Sequence, residues 1–124
     1  MIQLKLPYPP SINHYYERGC DGNLHVGDKG KIYRRQVQMI VALYRIKERY
    51  YAKQHLKVSI YAFTPDHRPR DVDNILKCLL DAITDSGIWT NDKQVYDLRV
   101  VKNYDVNKKG YVLVSIDEIK QGDT

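Results

Sequence analysis

Residues 56–87 read LKVSIYAFTPDHRPRDVDNILKCLLDAITDSG, and their patterning decides the fold. Leu56, Val58, Ile60 and Ala62 alternate with Lys57, Ser59 and Tyr61, the period of a strand, and the run continues through Phe63 to Pro65. The next residues, Asp66 to Arg70, are charged and broken by Pro69, so the strand ends there. Val72, Ile75, Leu76, Leu79, Leu80 and Ile83 then recur at helical spacing. This predicts a helix over about Val72 to Ser86, with Gly87 where a C-terminal cap belongs.

Working outward, Met1 to Leu6 alternates Ile2, Leu4 and Leu6 with polar residues and reads as a half-buried strand closed by Pro9 and Pro10. Ser11 to Gly30 is rich in Gly, Asn, Asp and His without a sustained period, the pattern of a long ordered loop. From about Lys31 to Tyr51 a row of Ile32, Met39, Leu43, Ile46 and Tyr50 is flanked by Val37, Ile40, Val41, Tyr44 and Tyr51. That is a long helix whose wide apolar face suits burial against more than one layer, a partner subunit included. Two strands, Val95 to Val101 and Tyr111 to Ile119, close the chain, joined by Asn107-Lys108-Lys109-Gly110 as a hairpin turn. The expectation is an α+β fold of order β-α-β-α-β-β, helices packed on a mixed sheet. A length of 124 residues suits one domain, 1–124.

Lys and Arg number 20 against 15 Asp and Glu, a net charge of +5 that favours a polyanionic partner, because basic side chains displace the counterions condensed on nucleic acid. Cys20 and Cys78 show neither a disulfide framework nor zinc spacing. No apolar run reaches membrane-span length and no signal peptide is visible, so a cytoplasmic protein without a membrane role is expected.

Asp71 and Asp73 stand at the mouth of the second helix, where acidic residues ordinarily cap free amides and complement the helix dipole. Lys77 follows Asp73 by four residues, the spacing of a plain helical ion pair. Arg68 and Arg70 bracket the two aspartates with positive charge, and Asp92 lies in a polar turn from which a third carboxylate can converge. Carboxylates sharing one point repel, and a hard divalent cation with oxygen ligands removes that cost. Mg²⁺ is the natural ion, with Mn²⁺ as a substitute.

The run Arg70-Asp71-Val72-Asp73-Asn74, then Lys77, Asp81-Ala82, Gly87 and Trp89, then Asp92, Gln94-Val95 and Val100-Val101-Lys102, resembles the RusA-type Holliday junction resolvases in order and spacing. The N-terminal Leu6-Pro7-Tyr8-Pro9-Pro10-Ser11 with Asn13 and Tyr15-Tyr16 is similar too. The resemblance implies a homodimer that binds four-way DNA junctions and hydrolyses phosphodiesters with Mg²⁺ in recombination and repair. It places the metal-binding aspartates at Asp71, Asp73 and Asp92 and an active-site lysine at Lys77. Lys102 joins Arg68, Arg70, Asn13, Tyr15 and Tyr16 as residues expected to meet DNA, the tyrosines by stacking on bases. In Gly19 to Gly30 and Lys31 to Tyr51 the likeness is one of general character.

Other patterns carry less. Pro65-Asp66 with Glu118-Ile119-Lys120 formally matches another nuclease motif, but Glu118 reads as a solvated strand end. Around Gly30-Lys31, His25 and Ile32 occupy positions where a phosphate-binding loop needs glycine and a hydroxyl, so no nucleotide cofactor is expected. The histidines lack metal-ligand spacing. Two other functions compete: a DNA-binding module whose aspartates merely cap a helix, and a nuclease of broader taste for branched DNA, duplex or RNA.

Overall fold

A computed structural model describes residues 1–11, 15–44, 51–67, 70–103 and 109–120. In chain order the elements are β1 (Ile2–Pro7), β2 (Tyr16–Arg18), β3 (Leu24–Val26), α1 (Asp28–Leu43), β4 (Leu56–Phe63), α2 (Leu76–Ser86), β5 (Val95–Lys102) and β6 (Tyr111–Glu118). Short 3₁₀ turns at Val72–Ile75 and Asp92–Gln94 lead into α2 and β5. The expected α+β architecture, helices packed on a mixed sheet in one domain, is what the described residues adopt. The segment read as a loop holds an added antiparallel pair, β2 with β3, and the start of α1.

The main sheet runs in the order β1-β6-β4-β5. Its register aligns the apolar alternation of three strands: Ile2, Ile116 and Val58 in one row, Leu4, Val114 and Ile60 in the next, Leu6, Val112 and Ala62 in the third. All nine are buried, and each fully buried aliphatic side chain stabilises the fold by roughly 1.5–3 kcal/mol. A slip of one residue would turn these rows to the opposite face.

This register corrects the reading of the last two strands as a hairpin. β6 pairs with β1 and β4, while β5 pairs in parallel with β4 at the edge of the sheet. Val112, Val114 and Ile116 give β6 a continuous apolar face that belongs in the middle. β5, exposed at Tyr96, Asp97, Leu98 and Arg99, tolerates an edge, where charged side chains also discourage further pairing. Of the supposed turn, Asn107 and Lys108 lie outside the described residues. The parallel β4–β5 pair needs a crossover connection, which α2 supplies.

The first helix begins three residues before the predicted Lys31, and Tyr51 is not part of it: Tyr51 forms an isolated bridge with Trp89. The predicted helical positions Ile46 and Tyr50 lie outside the described residues. α1 buries Tyr33, Val37 and Val41 against the core, whereas Ile32, Met39 and Leu43 are exposed. Its Gly30 allows a close approach, since a Cβ there would come within 2.6 Å of the Tyr15 ring. α2 buries Cys78, Leu79, Ala82 and Ile83 and ends at Gly87 with φ 88°, the left-handed cap read from the sequence. Both cysteines are free. Trp89 is buried, with its indole donating to Thr84 Oγ1. Among the described residues no helix is long and apolar enough to cross a membrane.

Candidate active site

The loop that follows β4 is built by side-chain contacts. Thr64 Oγ1 donates to the Asp66 carbonyl at 2.9 Å, and the Arg70 guanidinium grips both carboxylate oxygens of Asp66. That hydrogen-bonded carboxylate holds the Arg70 guanidinium above its ordinary range. Lys102, at the end of β5, donates from Nζ to the Arg70 carbonyl at 2.9 Å. Two of the cations expected on DNA therefore also shape the backbone immediately before Asp71.

Asp71 has extended backbone (φ −79°, ψ 140°) at the position preceding the 3₁₀ turn, yet its side chain makes no capping hydrogen bond. Asp73 lies inside the turn, and both residues are exposed. The ordinary capping role is thus unfilled at Asp71. Downstream, the turn that carries Asp92 is capped by its neighbours: Asn91 Oδ1 accepts from the Lys93 amide at 2.9 Å, and Gln94 Oε1 accepts from the Thr90 and Asn91 amides at 2.9 and 3.0 Å. Buried Gln94 also donates from Nε2 to the carbonyls of Tyr51 and Gln54, both at 3.1 Å. Asn91, not Asp92, does the capping, so this carboxylate too is spared. None of Asp71, Asp73 and Asp92 has a side-chain hydrogen bond or ion pair to another described residue, whereas Asp21, Asp66, Asp81, Asp85 and Asp117 each have one.

Lys77 stands in the first turn of α2, its Nζ 3.2 Å from Asp81 Oδ1. Asp81 chiefly, with smaller contributions from Tyr16 and Asp92, holds the ammonium above its ordinary range. Lys77 is therefore within electrostatic reach of the Asp92 turn. Asp71 and Asp73 share the turn just ahead of it, but among the described residues no three His, Cys, Asp or Glu side chains stand close enough to form a metal-binding set as they are.

The other expected DNA contacts divide. Arg68 and Asn13 lie outside the described residues. Tyr16 is half-buried, edge-on to Tyr15 with ring centroids 4.9 Å apart. Tyr15 corrects the stacking expectation: its side chain is wholly buried, with its hydroxyl donating to Asp81 Oδ2 at 2.9 Å and accepting from Arg34, so this structure offers no face of its ring to a base.

Comparison with known proteins places this geometry. The profile of the family described as Endodeoxyribonuclease RusA matches residues 7–116, which span every described element named above from α1 to β5. The chain belongs to the RusA family. Crossover junction endodeoxyribonuclease RusA of Escherichia coli K12 is 40% identical to it over 118 residues, 94% of this chain and 93% of the relative. The protein of the same description from Enterobacteria phage HK97 is 40% identical over 104 residues, 84% of each chain. That from Enterobacteria phage 82 is 38% identical over 116 residues, 94% of this chain and 93% of the relative. Membership of the RusA family makes the chain an endodeoxyribonuclease.

Within this RusA fold the competing nuclease pattern falls away. Glu118 pairs with Leu56 at the start of β4, while Asp66 follows the other end of that strand and is occupied by Arg70. Arg34 and the Asn91–Gln94 capping box also shape the site, beyond the residues expected above. The second was legible as Asn-x-x-Gln before a strand. The first depends on α1 packing beside α2, which no local pattern announces.

Proposed function

We propose that this RusA-family endodeoxyribonuclease resolves four-way DNA junctions in recombination and repair, as a homodimer that depends on Mg²⁺ held by Asp71, Asp73 and Asp92. The observation that carries the reading is the set of three carboxylates without partners among the described residues, beside an ion-paired ammonium. The donor set is all oxygen and charged, which fits a hard divalent cation, and exposed Asp71 and Asp73 are free to turn towards one. Bound there, Mg²⁺ supplies Lewis acidity toward the phosphoryl oxygens and lowers the pKa of a water. The chain's own contribution is Lys77, whose ammonium, kept protonated by Asp81, offsets negative charge developing on the phosphoryl group. The net charge of +5 draws the DNA in. A homodimer is proposed because paired incisions need two carboxylate sets, and the exposed Ile32, Met39 and Leu43 of α1 offer apolar surface for the association.

The deciding experiment compares a synthetic four-way junction with linear duplex of the same sequence, with Mg²⁺ or with EDTA. Paired cuts in the junction, little cutting of duplex and none in EDTA are the expected results. Equal cutting of duplex would replace junction resolution by a broader nuclease activity, and cutting in EDTA would remove the metal.

A further inference from the structure

Beyond keeping Lys77 protonated, the hydrogen-bonded cluster around Asp81 has no role in the chemistry above. Asp81, on α2, is largely buried, and its two carboxylate oxygens are divided. Oδ1 faces Lys77 Nζ at 3.2 Å. Oδ2 accepts from the Tyr15 hydroxyl at 2.9 Å and lies 3.6 Å from Arg34 Nη2, while Arg34 also donates to the Tyr15 hydroxyl, from Nε at 3.1 Å. We infer that Asp81 is a positioning residue: Tyr15 and Arg34 fix its carboxylate so that it holds the Lys77 ammonium in one place at the entrance of α2. The inference rests on the reading of Lys77 as part of the reaction centre.

Helix stability does not account for the pair. Lys77 sits at the amino end of α2, where the helix dipole disfavours a cation. The order Lys then Asp at four residues is also the weaker orientation for a helical ion pair. A pair with one exposed member usually gains little, because its flexible side chain must be ordered. Here one of the two is ordered in advance by groups from α1 and the N-terminal segment. Tyr15 is wholly buried, and Gly30 leaves room for its ring against α1. Two cations, Lys77 and Arg34, share one carboxylate, so the cluster retains a positive charge to present to phosphate.

Asp81→Asn keeps the shape and an acceptor for Tyr15 and Arg34 but replaces the anion facing Lys77. Single-turnover junction cleavage should fall by about 100-fold, as for a misplaced reacting group, with junction affinity in EDTA equal or tighter because the cluster gains net positive charge. The metal-free protein should lose the ordered Lys77 ammonium signal in its ¹⁵N–¹H spectrum. Lys77→Ala/Asp81→Asn should cleave no more slowly than Lys77→Ala, because one residue acts through the other. Should Asp81→Asn fail to fold, Tyr15→Phe, which removes one hydrogen bond to Asp81, is expected to give a smaller loss with the same dependence on Lys77. Wild-type cleavage by Asp81→Asn beside a slow Lys77→Ala would overturn the positioning role, as would a double variant slowed by the full product of the single effects. Wild-type cleavage by Lys77→Ala would overturn the role of Lys77 and this inference with it, while Asp73→Asn reports separately on the nuclease reading.

Discussion

A carboxylate that caps a helix and one that waits for a cation are told apart by what their oxygens touch. Asp71 occupies a capping position without capping, and Asp92 is relieved of that duty by Asn91 and Gln94. Neutralising any of Asp71, Asp73 or Asp92 as Asn therefore removes no hydrogen bond to a described residue, and the variants should unfold at wild-type temperature. Their cleavage should drop by about 100-fold or more, since a metal ligand carries several kcal/mol of transition-state stabilisation. Junction binding should stay equal or tighten, because less negative charge faces the phosphates. Quantitative cleavage with gel-shift affinity checks this, and an Asp73→Asn protein that cuts normally would remove the metal-site reading. At this scale the family resemblance told most: it singled out the aspartates and Lys77, which spacing alone leaves as helix caps and a plain ion pair. The sequence could not tell that Tyr15 is core and not surface, because a tyrosine in a polar segment looks the same in either role until α1 is packed over it.

Elements show why local patterning was enough for some parts and not for others. The β4–α2 unit was legible because strand period, proline break, helical spacing and Gly87 all agree within one stretch. The placement of β6 was not, because the choice between a hairpin with β5 and insertion between β1 and β4 is decided by burying Val112, Val114 and Ile116 from both sides, a long-range effect. The far end of the predicted long helix was missed for a similar reason, as Tyr51 pairs with Trp89 in preference to extending a helical period. The 3₁₀ turn under Asp92 depends on one buried amide. Gln94→Leu would remove its hydrogen bonds with the Thr90 and Asn91 amides and the Tyr51 and Gln54 carbonyls, destabilising the fold by about 3 kcal/mol. Urea unfolding measures this. If Gln94→Leu is as stable as wild type, the turn is held by something other than that side chain.

Across the whole molecule the arithmetic of sites underlies the proposed homodimer. One chain carries one set of Asp71, Asp73, Asp92 and Lys77, and two strands of a junction related by a two-fold axis need two such sets. A symmetric pair of chains supplies them in matching orientation, and two-fold dimers are the commonest soluble oligomers. For the proposed dimer, the α1 stripe of Ile32, Met39 and Leu43, exposed at 53%, 65% and 74% in the single chain, offers apolar surface. Met39→Glu should accordingly lower dimer affinity without unfolding the chain, because a side chain so exposed contributes little to the fold of one subunit. The sharper consequence concerns timing. A dimer mixed from wild-type and Asp73→Asn chains holds one competent site on one strand, so a junction on a supercoiled plasmid should receive a single nick in the lifetime of the complex. Wild-type dimers should give the linear product of two cuts directly. Mixed dimers are obtained by co-expressing differently tagged chains, and the ratio of nicked to linear plasmid reads the outcome. Linear product formed by the mixed dimer as fast as by the wild type would mean that one site serves both strands, and the two-site assembly would have to be abandoned.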